Sequence, residues 1–213
     1  MTLRLALLLI TALLVSHAVA QEIVGRLRVP VVYLKNTGQP TSRNIATTGK
    51  RVRILFETIP GRVTGSSDKK PIQFAVISEE NVLFLDGNLL SESLHARARP
   101  LDAELRAAGL KIQPSETQLA RLSAFAMLSE KSPFRGSTAF AERVDGPFIF
   151  AVYFDRKCTV RGKIVRDGVE TEYALDIPGK GIWFLRSRHF SDKRRVFELA
   201  PTSMQAILVL KAP

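Results

Sequence analysis

The sequence predicts a mainly β fold: an antiparallel, β-sandwich-like protein with a two-helix insertion in the middle of the chain. Three observations carry this expectation. Apolar residues alternate with charged ones in the first and last thirds. Asp167-Gly168 has the composition of a two-residue hairpin turn. The middle of the chain instead carries helix punctuation, with Pro100 and Gly109 around one short segment and Ser115-Glu116-Thr117-Gln118 ahead of another. The parts expected are 1–20 (signal peptide), 21–90 (N-terminal β part), 91–146 (helical insertion) and 147–213 (C-terminal β part), with 21–213 as one sandwich domain the simplest alternative.

The opening MTLRLALLLITALLVSHAVA has Arg4, an apolar stretch from Leu5 to Val15 and the small-residue pattern Ala18-Val19-Ala20. That arrangement reads as a secretory signal peptide, with a retained membrane anchor as the competing reading. The protein is therefore expected to be secreted or periplasmic. Beyond residue 20 the longest apolar run is Phe148 to Phe154, too short to cross a bilayer as a helix, so no transmembrane span is expected after signal removal.

In residues 23–33 Ile23, Leu27, Val29, Val31 and Tyr33 share one strand face, opposite Arg26 and Arg28. Pro30 lacks an N–H, which predicts an edge strand or a bulge. Val52, Ile54 and Phe56 form a second half-buried pattern, and residues 72–77 and 82–85 flank a short hairpin. Leu101 and Leu105 with Gly109 predict a short helix over 100–108. The capping-box pattern at Ser115, followed by Leu119, Leu122, Phe125 and Leu128, predicts a second helix of about four turns. The stretch EKSPFRGSTAF reads as loop.

Phe148 to Phe154 is apolar on both faces and predicts a central strand covered on both sides. With Asp167-Gly168 as the turn of the next hairpin, Cys158 faces Ile177, Val160 faces Leu175, Gly162 faces Tyr173 and Ile164 faces Thr171. Lys163 and Glu172 then form a pair on the other face. This register puts Cys158, the chain's single cysteine, on the apolar face. A thiol buried there has a raised pKa, the reverse of what a nucleophile needs. Trp183 and Phe184 point to opposite faces, and one of them is expected near the surface.

Lys and Arg number 31 against 20 Asp and Glu, a net charge of +11. In an exported protein nucleic acid is not the expected partner. An anionic envelope component (lipid, lipopolysaccharide or acidic polysaccharide) or another envelope protein is. No catalytic motif is visible: the S-x-x-K spacings at Ser66 and Ser67 lack their companion motifs, and neither a cofactor nor a metal site is expected. The candidate site is RSRHFSDKRR, residues 186–195, read as a hairpin loop. Its ligand-binding residues are Arg186, Arg188, His189, Phe190, Lys193, Arg194 and Arg195, a set of cations around one aromatic that suits phosphate, carboxylate or sulfate groups. The competing reading is a solvated turn that discourages edge aggregation. The expected function is non-catalytic binding of an anionic envelope component. The alternative is a structural or chaperone-like subunit that pairs through exposed strand edges such as 23–33.

Overall fold

The computed structural model describes residues 25–34, 51–57, 73–78, 80–127, 137–144, 146–201 and 204–211. The signal segment and the Ser66 and Ser67 spacings lie outside the described residues. The first part holds β1 (Arg26–Leu34), β2 (Arg51–Glu57), β3 (Gln73–Val76) and β4 (Val82–Asp86). The middle holds α1 (Gly87–His95), β5 (Arg99–Pro100), α2 (Ala103–Ala107), β6 (Lys111–Gln113), β7 (Gln118–Met127) and β8 (Ser137–Ala141). The last part holds β9 (Phe148–Phe154), β10 (Cys158–Arg166), β11 (Val169–Ile177), β12 (Gly181–Ser191), β13 (Arg194–Leu199) and β14 (Ile207–Lys211).

The fold is mainly β, and its strands join in one mixed sheet. Its main path runs β4-β1-β14-β8-β9-β12-β13-β11-β10-β6. A branch leaves β9 through β7 to β2 and β3. Two pairs are parallel, β1 with β14 and β11 with β13, where an all-antiparallel arrangement was expected. Pro30 lies where β1 changes partner: Arg26 to Pro30 pair with β4, and Val31 to Leu34 pair with β14. A residue without an N–H is tolerated at such a junction, where one ladder ends.

β9 is the central strand, as its two apolar faces predict. Ile149, Ala151 and Tyr153 join one core cluster, with Leu90 and Leu94 of α1, Val29, Leu83, Phe184 and Leu208 among its members. Val152 and Phe154 join a second, with Leu101 and Leu105 around α2, Val160, Leu175, Trp183 and Phe197. Because both faces of the sheet are covered, Trp183 and Phe184 are both buried, contrary to the expectation of one near the surface. The Trp183 indole N–H is satisfied by Gly179 O at 3.0 Å.

The β10–β11 hairpin has the predicted register throughout, from Cys158 opposite Ile177 to Arg166 opposite Val169. Asp167 (φ 52°) and Gly168 (φ 74°) both take positive φ, the requirement of the tight turn whose twist matches the flanking strands.

One helix lies within its expected span and the other lies elsewhere. The short one is α2, capped by Asp102 and ended at Gly109, whose φ of +104° suits a residue just past a helix end. The other is α1, where Asp86 Oδ1 accepts the Leu89 N–H at 3.0 Å and Leu90 and Leu94, one turn apart, are buried. The predicted four-turn helix after Ser115 is instead strand β7, paired with β2 and β9. Leu119 and Leu122, three apart, fall on opposite faces of that strand, and both faces are buried. A spacing of three serves one helix face as well as the two faces of a doubly covered strand, and ladder pairing decided. Residues 130–140 were read as loop; 130–136 lie outside the described residues, and 137–140 belong to β8, which pairs with β9 and β14.

Candidate functional site

The basic stretch 186–195 is mostly strand. β12 continues to Ser191, the turn is confined to Asp192 and Lys193, and a bulge lies between His189 and Ser191. This corrects the loop reading. Strand alternation therefore sends the predicted residues to two faces.

Arg186 faces Glu198 and Glu142; it donates to Glu198 through Nε at 2.9 Å and lies 3.5 Å from Glu142. Burial alone lowers its pKa, but the hydrogen bond and charge of Glu198, joined by Glu142, outweigh this and raise it. Arg194 is similarly committed, 3.1 Å from Glu172 and 3.8 Å from Glu170. These two cations are thus structural pairs on a partly exposed face.

Arg188, His189, Phe190 and Lys193 are exposed. Phe190, 54% exposed, has the guanidiniums of Arg188 and Arg194 at 5.0 and 5.5 Å from its ring centroid. Parallel pairing of β11 with β13 brings two turns to one end of the sheet. Glu170 is in register with Arg194 and its N–H donates to Lys193 O at 2.7 Å, so the Asp167-Gly168 turn lies beside Asp192-Lys193. This end carries Val165, 69% exposed, and the exposed Arg166 as well. Arg166, Arg188 and Lys193 have no carboxylate partner among the described residues.

Arg195 points the other way, into a cavity of about 220 Å³ on the face of the second core cluster. Phe150, Val152, Leu185 and Phe197 form its apolar wall, closed by Leu105 of α2 and Ile164. Its polar lining is Arg121, Arg166, Arg195, Thr171 and Tyr173, with no carboxylate among the described lining residues. Tyr173 stacks on Phe197 at 5.0 Å between centroids, and Phe150 meets Phe197 edge-on at 5.2 Å. Arg121 lies over Phe150 at 4.3 Å, and stands opposite Glu57 in the β2–β7 ladder. Arg195 Nε donates to Thr171 Oγ1 at 2.8 Å. Burial pushes the Tyr173 phenol up, while the positive charges of Arg195, Arg166 and Arg121 all pull it back.

Arg121 and Arg166 were missed from the sequence. Arg166 had a signal, because the hairpin register puts it on the Cys158–Ile164 face, a cation on an otherwise apolar row. Arg121 had none once residues 115–128 were read as a helix. Ser187, on the same strand face as Leu185 and opposite Phe197, is 3% exposed and its hydroxyl makes no hydrogen bond.

Cys158 is buried, as its register predicted, and its thiol is pushed up to about 11 by burial first and by the nearby Asp155 charge second. His95 Nδ1 lies 2.9 Å from the Tyr153 hydroxyl against the other core cluster. The two are thus held by different clusters. Among the described residues no three His, Cys, Asp or Glu side chains gather into a metal-binding group. No described helix is long and apolar enough to cross a membrane. No family model matches the chain, and neither curated proteins nor solved structures yield a significant match.

Proposed function

We propose that this protein is an exported, non-catalytic binding protein that engages an anionic component of the cell envelope through the basic end of its sheet. The observation that carries this reading is the grouping of Phe190 with Arg188 and Lys193 on one turn and Val165 with Arg166 on the adjacent turn. Exposed apolar tips beside cations that have no carboxylate partner among the described residues suit an interface of phosphate or carboxylate groups over an apolar layer. Lipid, lipopolysaccharide and acidic polysaccharide share the anionic part of that chemistry. Export rests on the composition of the first twenty residues. We also retain the sandwich-like description, because two apolar clusters flank β9.

Pairing through strand edges is less favoured. Among the described strands those with a single partner, β4, β6, β3 and β5, have five, three, four and two residues, and short edges are poor templates for addition of another chain.

Co-sedimentation with anionic and neutral vesicles and with acidic polysaccharide, at low and high salt, tests the reading. Each cation near an anionic surface contributes about 1 kcal/mol, so a version with Arg166, Arg188 and Lys193 changed to Gln is expected to bind roughly a hundredfold more weakly. Phe190→Ser should weaken vesicle binding more than polysaccharide binding. Binding that ignores both salt and these substitutions would refute the proposal.

A further inference from the structure

The cavity beside Arg195 has features that the surface reading does not use. Among the described residues that line it, Arg166 and Arg195 bring two guanidiniums without an ion-pair partner and no carboxylate, while the wall is apolar and aromatic. Like charges converging on a half-buried space repel one another, and an anion held there relieves that repulsion. Arg195 uses Nε on Thr171, and its two terminal nitrogens have no further hydrogen-bond partner among the described residues. They retain the planar fork that matches a carboxylate. Arg166 makes no ion pair among the described residues. The side chains of Phe150, Val152, Leu185 and Phe197 offer no group to hydrogen-bond a polar body.

We propose that this cavity binds a small amphipathic acid, with its apolar body against Phe150, Val152, Leu185 and Phe197 and its carboxylate on Arg166 and Arg195. Size narrows the class. A dry cavity of about 150 Å³ holds one benzene ring. The volume of about 220 Å³ therefore suits one aromatic ring with a short acidic arm, or a carboxylic acid of medium chain length. Longer chains must leave through the open rim. The site shares Arg166 with the turn surface proposed above, but Arg195 and the apolar wall belong to the cavity alone and Arg188, Phe190 and Lys193 to the turn surface alone, so substitutions at those residues tell the two proposals apart.

The test is calorimetric titration of the purified protein with 3-phenylpropanoate and octanoate. The corresponding alcohols serve as neutral probes of the same body, and inorganic phosphate as an anion without one. Both acids should bind at least tenfold more tightly than their alcohols, and phosphate more weakly than either acid. Changing Arg166 and Arg195 to Gln should abolish the preference for acid while leaving alcohol binding unchanged, which shows that the cavity is intact. Arg195→Lys should retain only part of the preference, because charge remains but the fork is lost. Changing Arg188 and Lys193 to Gln should leave the titrations unaltered, so failure of the surface reading is distinguishable from failure of this one. Equal affinity for acid and alcohol, or no binding of either acid by the folded wild-type protein at millimolar concentration, would overturn the proposal. If the Gln version does not fold, the comparison of acid with alcohol on the wild-type protein decides alone.

Discussion

Replacing Cys158 with Ala should change how stability depends on alkaline pH, and the size of the change follows from the thiol's surroundings. Cys158 is 4% exposed, and its pKa rises from 9.0 to about 11. An acid whose pKa is higher in the folded state keeps its proton there while the unfolded chain loses it. Between these values the folded state therefore binds more protons, and stability falls as pH rises. The loss is negligible at pH 7, reaches about 1.4 kcal/mol at pH 10 and levels off near 2.7 kcal/mol above pH 11. Urea unfolding at pH 7.5, 9 and 10 measures it. Tyr153 and Tyr173, whose pKa values are also raised, push in the same direction in both proteins, so only the difference between wild type and Cys158→Ala reports the thiol. Loss of the sulfur adds a cost of about 1 kcal/mol that does not vary with pH. Labelling with a disulfide reagent at pH 8 gives a second reading: the thiolate fraction is about a hundredfold below that of an ordinary cysteine, so native labelling should be slower by at least that factor. Parallel stability curves from pH 7.5 to 10, together with labelling as fast as in the unfolded protein, would refute the argument.

Two further substitutions test the packing around the candidate cavity. Gly162 has φ +136°, and a Cβ there would stand 2.3 Å from Gly109 O, so Gly162→Ala should destabilise by roughly 2–4 kcal/mol; an unchanged urea midpoint would show that β10 and the turn after α2 are not so closely apposed. Ser187→Ala removes a buried hydroxyl that makes no hydrogen bond, so stability should rise by roughly 1 kcal/mol, whereas a loss would mean that the hydroxyl has a partner.

Local chemistry made much of the final hairpin legible. At Asp167-Gly168 two adjacent residues tolerate positive φ, and a two-residue turn leaves one register, so pairing, the burial of Cys158 and the face of Arg166 follow from chain position alone. The same held for α2, where Leu101, Leu105 and Gly109 are close in sequence. Residues 115–128 were ambiguous because Leu119 and Leu122 are three apart, a spacing that fits one face of a helix as well as the two covered faces of a strand. Asp86, with Leu90 and Leu94 one turn apart, did carry a legible helix signal, and the strand pattern just before it masked that signal.

The candidate site divides in the same way. Composition by itself determined that residues 186–195 concentrate cations around an aromatic. Which of those cations remain available was decided by partners distant in sequence: Glu142 and Glu198 on Arg186, Glu170 and Glu172 on Arg194, and Thr171 on Arg195. The cavity is a purely tertiary product, because Arg121, Arg166 and Arg195 lie on β7, β10 and β13 and share a space only after those strands join one sheet. Alternation along one strand is a local property of the backbone, and the sequence by itself determined it. The order in which strands stand side by side depends on long-range pairing, and only the tertiary structure decided that.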